Sequence, residues 1–200
     1  QWFNENHWYL MSDHRTRSIG RYMLHETKDG GRTWNRSSVI PRTRITPSGD
    51  SSSMNASLRF SDENHGWLLG GSTLNTTDHR WRDIIVATTD GGNTWKTQMD
   101  TVFVDEFATS QFGLEDIYPL NNDTIYACGD GKVIISSNGG QSWHGQPIEG
   151  NNMPNAVEAE LVFATPQAKV MVTSGLLDPN GTMYYWNESP IAVHEDDKET

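Results

Sequence analysis

The chain of 200 residues has a single cysteine, Cys128, so no intrachain disulfide can brace it. That cysteine lies in the apolar run Ile125-Tyr126-Ala127-Cys128, which predicts a buried, inert thiol and not a nucleophile. No apolar run reaches the length of a membrane span. Arginine is missing from everything after Arg82. No His-x-x-x-His or Cys-x-x-Cys spacing occurs, and no phosphate-binding glycine loop or Gly-x-Ser-x-Gly elbow, so no metal, cofactor or catalytic residue is assigned. The formal net charge of −11 argues against a general nucleic-acid binder. No signal peptide is visible, yet the chain begins at Gln1 without an initiator Met, which reads as a processed or trimmed start.

What is present is repetition. Thr88-Thr89-Asp90-Gly91-Gly92-Asn93-Thr94-Trp95 has two copies, Thr27-Lys28-Asp29-Gly30-Gly31-Arg32-Thr33-Trp34 and Ser136-Ser137-Asn138-Gly139-Gly140-Gln141-Ser142-Trp143. All three read Ser/Thr-x-Asp/Asn-Gly-Gly-x-Ser/Thr-Trp. Asp-Gly or Asn-Gly followed by Gly supplies the positive-φ positions of a tight turn between strands. Asp29, Asp90 and Asn138 are expected to cap backbone N–H groups, with Ser/Thr hydroxyls adding local bonds. Gly31, Gly92 and Gly140 provide the turn, and Trp34, Trp95 and Trp143 bury apolar surface against a neighbouring repeat.

These motifs resemble the Asp-box, or BNR repeat, of sialidase-like β-propellers. The longer stretch Phe60-Ser61-Asp62-Glu63-Asn64-His65-Gly66-Trp67-Leu68-Leu69-Gly70 ahead of the box resembles the Ycf48-like branch of photosystem II assembly factors and their bacterial relatives. The resemblance implies a β-propeller and an assembly-factor or chaperone-like role, bacterial and periplasmic or secreted. The chain departs from the photosynthetic members in its acidity and its long loops. A sialidase-like glycosidase would need an arginine triad. The sequence offers only Val39-Ile40-Pro41-Arg42, in the wrong order and place.

Taken in order, the chain predicts an all-β propeller of about four four-stranded blades, with repeats at roughly 1–40, 56–100, 113–148 and 157–188. This is either a compact ring or an arc of a larger propeller. Trp2 to Met11 parallels Phe60 to Leu69, so the strand that should precede Phe3 is missing. His7 and His65 then share a position, which predicts a shared turn role. Residues 41–57 and Thr101 to Phe112 read as long linkers. Ser72 to Arg82 reads as an inserted loop, and Asp178-Pro179-Asn180-Gly181 as a turn. Ile191 to Val193 reads as a closing strand.

Charge is uneven. Residues 1–82 hold ten Arg and one Lys against eight acids, a net of +3, whereas residues 83–200 hold four Lys against eighteen acids, a net of −14. Arg80, Trp81 and Arg82 combine residue types enriched at interface hot spots, and Arg42 with Arg44 forms a second candidate. The expected function is a non-catalytic scaffold that binds another protein. The alternatives are a glycan-binding or glycoside-hydrolase module and an inhibitor or immunity-type protein.

Overall fold

The computed structural model describes residues 1–16, 19–38, 43–44, 56–75, 80–104, 113–129, 132–145, 158–163, 169–175 and 178–186. These residues form strands, turns and bends with no helix, so no helix is long and apolar enough to cross a membrane. The protein is all-β, built of antiparallel sheets stacked as propeller-like blades.

Sheet I holds β1 (Trp8–Thr16), β2 (Ile19–Thr27) and β3 (Asn35–Ser38), with β4 (Thr43–Arg44) pairing the start of β2. Sheet II is β5 (Ala56–Phe60), β6 (Gly66–Asn75), β7 (Arg80–Thr88) and β8 (Lys96–Val104), in that order. Sheet III repeats the plan with β9 (Asp116–Pro119), β10 (Ile125–Gly129), β11 (Lys132–Ser136) and β12 (His144–Gly145). Sheet IV has three strands, β13 (Glu158–Phe163), β14 (Lys169–Gly175) and β15 (Asp178–Trp186). Strand β9 lies against β5 and β13, so the first strands of consecutive sheets are neighbours and mark the axial side of the stack.

The register makes the repeats superposable. Trp8↔Thr27, Gly66↔Thr88 and Ile125↔Ser136 are equivalent pairs, each formed by the residue that opens a repeated turn. Strand alternation then sends successive residues to opposite faces, and two cores result. Tyr9, Tyr22 and Leu24 on the forward face of sheet I meet Leu58, Phe60, Leu68, Ile84 and Val86 on the rear face of sheet II. Trp67, Leu69, Ile85 and Ala87 on the forward face of sheet II meet Leu114, Ile117, Ile125 and Ala127 of sheet III. Burying one such Leu or Ile side chain is worth about 1.5–3 kcal/mol. The Tyr9 and Phe60 rings stack across the first junction, 4.3 Å apart and 4° from parallel. Cys128 is fully buried, as expected.

Several expectations need correction. The supposed insertion Ser72 to Arg82 continues a hairpin: Gly71 to Asn75 pair with Asp83 to Arg80, through a bulge between Thr73 and Asn75. Thr101 to Val104 are not linker, because they extend β8 along β7. Asp178 to Gly181 lie within β15, and Gly175↔Asp178 closes the hairpin two residues earlier. Thr43 and Arg44 pair with Gly20 and Ile19, so part of the long connection belongs to sheet I. The strand ahead of Phe3 is represented by the Trp2↔Trp8 bridge, with Tyr9 N–H donating to the Gln1 carbonyl at 2.8 Å. Ile191 to Val193 lie outside the described residues.

Candidate functional site

One end of each of the first three sheets is locked by two linked turns. In the second copy the Thr88 hydroxyl accepts from Gly92 N–H and donates to Asp90, both at 2.8 Å. Asp90 also receives Thr94 N–H at 2.8 Å and the Thr94 hydroxyl at 2.6 Å. The first copy repeats this with Thr27, Asp29, Gly31 and Thr33. The third places Ser136, Asn138, Gly140 and Ser142 in the same way, except that the Asn138 amide donates to the Ser142 hydroxyl. Trp34 and Trp95 donate their indole N–H to the carbonyls of Gly31 and Gly92, at 3.1 and 3.0 Å. Trp143 Nε1 is buried without a partner among the described residues.

The companion turn, between the first and second strands, also recurs. Asn4 caps Asn6 and His7, Asp62 caps Asn64 and His65, and Asn121 caps Asp123 and Thr124. The carbonyls of Asn6, Asn64 and Asp123 then accept from Gly30, Gly91 and Gly139 N–H at 2.9–3.0 Å. These bonds favour ionised carboxylates. The Thr33 hydroxyl and N–H hold Asp29 down to about 2. Hydrogen bonds from His65, Asn122 and Asn64 outweigh burial and hold Asp62 at about 2. The Thr94 contacts lower Asp90 as well. With their oxygens committed to the turn itself, these side chains serve the fold and leave little capacity for a ligand.

The sheet I–II junction carries a polar cluster that sequence reasoning missed. Glu26 Oε1 lies 2.9 Å from His7 Nε2, 2.8 Å from the Tyr9 hydroxyl and 3.0 Å from Lys28 Nζ. Burial alone would raise Glu26, but hydrogen bonds from Lys28, Tyr9 and His7 outweigh it and keep the carboxyl below its ordinary range. Burial and the Glu26 contact push the Tyr9 phenol well above its own. Glu63 of sheet II approaches the other face of the imidazole, 3.5 Å from His7 Nδ1. His7 and His65 share the expected turn role through their backbones, each N–H capped by Asn4 or Asp62 and each carbonyl accepting from Phe3 or Ser61 N–H. The His65 side chain instead bonds Asp62 within its own turn, at 2.9 Å. A signal was available. Glu26 occupies the register position of Ala87 and Ile135, where a charge needs partners.

On the axial strands, the buried Ser57 hydroxyl donates to Asp116, and Arg59 Nη2 lies 3.4 Å from the same carboxylate. Asp83 accepts from Leu114 N–H at 3.1 Å. These contacts tie sheet II to sheet III.

The opposite end of the sheets differs from repeat to repeat. Strands β10 and β11 reverse after Gly129↔Lys132, which is equivalent to Gly70↔Ile84 and Ser12↔Met23. Sheet I continues for four more residues, Asp13 to Thr16, and sheet II for five, Gly71 to Asn75. At about 3.3 Å per residue, the two hairpins pass the third by roughly 13 and 17 Å. Arg80, Trp81 and Arg82 lie on this extension, opposite Val104, Phe103 and Val102 of β8. Arg44 reaches the same rim through its pairing with Ile19, beside Arg15 and Arg21. Arg42 lies outside the described residues. The rim therefore gathers Arg15, Arg21, Arg44, Arg80 and Arg82, half of the ten arginines, at one end of two sheets.

No protein-family model matches the chain, and no curated protein matches it. Among solved structures it is similar to one described as the crystal structure of an ancestral GH74 enzyme, a glycoside hydrolase of propeller type. The identity is 18% and the TM-score 0.52, over 92% of this chain and 25% of that one. The chain thus spans a quarter of that protein's length, and the likeness supports the propeller-like fold alone.

Proposed function

We propose that the protein is a non-catalytic scaffold that binds an acidic partner protein at the long-hairpin rim. The observation that carries this reading is the convergence of five arginine positions on the one rim where hairpin length varies. Hairpins that extend past their neighbour by four or five residues are not needed to close a sheet. Arginine on a rigid strand loses less freedom on binding than arginine on a loose loop. It also offers bidentate bonds to carboxylates. The resemblance to Asp-box and Ycf48-like proteins adds an assembly-factor role outside the bacterial cytoplasm to this proposal. The glycoside-hydrolase reading is supported by fold likeness to the GH74 enzyme, and a propeller fold hosts many unrelated activities.

The test is affinity capture from extracts of the source cells with the parent chain and an Arg80→Ala/Trp81→Ala/Arg82→Ala variant. A protein retained by the parent in low salt and lost by the variant supports the rim. Retention by both moves the site elsewhere. If neither retains a protein while a glycan array shows binding, the scaffold reading falls.

A further inference from the structure

The two filled junctions show what each face of a sheet is built to meet. Leu68 and Phe60 on the rear face of sheet II are 1% and 5% exposed, because the forward face of sheet I covers them. Their equivalents on the rear face of sheet I are Leu10 and Trp2, which are 52% and 64% exposed. Trp95 packs into the first junction and Trp143 into the second, whereas Trp34 is 40% exposed. The glycines of the repeated turns tell the same story. A Cβ at Gly92 would meet Leu24 of the preceding sheet, and one at Gly140 would meet Trp67 and Gln98 of the preceding sheet. At Gly31 it would meet only Trp8 and Trp34 of its own sheet. The rear face of sheet I is therefore an interface without its occupant among the described residues. It is also more polar than its equivalents, since Ser12 and His25 bond each other at 2.8 Å where sheet II has Gly70 and Val86.

The other end of the stack supplies the complement. Phe163↔Lys169 and Lys169↔Trp186 match Phe60↔Gly66 and Gly66↔Thr88. Val170, Val172, Met183 and Tyr185 thus hold the register positions of Trp67, Leu69, Ile85 and Ala87, the forward set that fills a junction. Sheet IV sits beside sheet III, with β13 against β9 and β10. Charge points the same way. Among the described residues, 1–44 hold six basic against four acidic residues, and sheet IV holds one against three.

We propose that the rear face of sheet I is the docking surface for sheet IV of a second copy of this chain, in a head-to-tail contact that repeats the relation between sheets I and II. Such a contact is heterologous, so two arcs close on each other or further copies add in sequence. A Val stands where Tyr9 and Trp67 stand, so the new junction is held by apolar packing and opposite charge, without the hydrogen bond those residues supply.

Sedimentation velocity of the full chain tests this over a range of concentrations and salt. The expected result is a mass above the monomer that grows with concentration and falls with added salt. Leu10→Lys alters an exposed residue and should weaken association about tenfold or more; Val172→Lys should do the same from the other side. Because the contact is head-to-tail, mixing the two variants restores one intact junction and should yield a one-to-one heterodimer. A parent chain that stays monomeric at every concentration overturns the proposal. If Trp34 in that monomer resists acrylamide quenching, read against Trp34→Phe, the chain covers its own face. If it is quenched freely, the face belongs to a different polypeptide. Association of the parent without complementation by the mixed variants also overturns the head-to-tail contact, in favour of an isologous dimer.

Discussion

Tyr9 and Trp67 hold the same register position in successive sheets, and each reaches the carbonyl of the first glycine in the next sheet's turn. The Tyr9 hydroxyl is 2.8 Å from Gly91 O, and the Trp67 indole N–H is 3.3 Å from Gly139 O. One polar atom at this apolar junction thus sets how far each sheet slides along its neighbour. Tyr126 occupies the third such position.

Tyr9→Phe removes the single O–H proton for which Gly91 O and Glu26 Oε1 compete. The expected cost is about 1–3 kcal/mol in urea unfolding. Ultraviolet titration should show that the parent has a phenol ionising above the ordinary tyrosine range that the variant lacks. An unchanged titration curve would mean the phenol is not held by Glu26 and burial.

Gly92 and Gly31 share a backbone conformation, φ +86° and +87°, but not a neighbourhood. Alanine at either position carries the left-handed penalty of about 1–2 kcal/mol. At Gly92 the new methyl also lies 2.5 Å from Leu24 Cδ2, inside a packed junction. Gly92→Ala should therefore be the more destabilising by about 1–3 kcal/mol. Equal denaturation midpoints would show that the junction yields without cost.

The turn carboxylates make stability fall in acid. Asp29 and Asp62 sit near 2 and Asp90 is lowered, against 3.8 for an ordinary aspartate. Folded values below the unfolded value mean the stabilisation is complete above about pH 4–5 and is lost as pH falls towards 2. Thermal melts across that window should show a progressive fall in Tm, and Asp62→Asn should make the fall shallower. The third repeat has the uncharged Asn138 and Asn121 at the capping positions, so its caps add no carboxylate.

The repeated turns were legible because their bonds run within eight residues, from Thr88 to Trp95, and so depend on little beyond local spelling. The sheets were legible wherever apolar residues alternate, as in Leu58 to Leu69. The long hairpin of sheet II was not. Ser72, Thr73 and Asn75 carry no apolar period, so the strand there is set by its pairing with β7 and β8 rather than by its own pattern. Asp178 to Gly181 misled for the converse reason: turn-forming residues were placed in a strand by the pairing of β14. The Glu26 cluster joins residues 7, 9, 26, 28 and 63, and only the register brings them together. Trp34 looks like Trp95 in sequence, yet its exposure depends on what lies behind its sheet.

The bonds of the locked end run almost wholly through backbone atoms, a short hydroxyl and one Asp or Asn. The intervening letters are correspondingly unconstrained: Lys28 and Arg32 in the first turn, Thr89 and Asn93 in the second, Ser137 and Gln141 in the third. Each repeat can thus be recoloured electrostatically without renegotiating its geometry. At these intervening positions a single architectural unit passes from cationic to neutral along the chain while its backbone bonds stay the same.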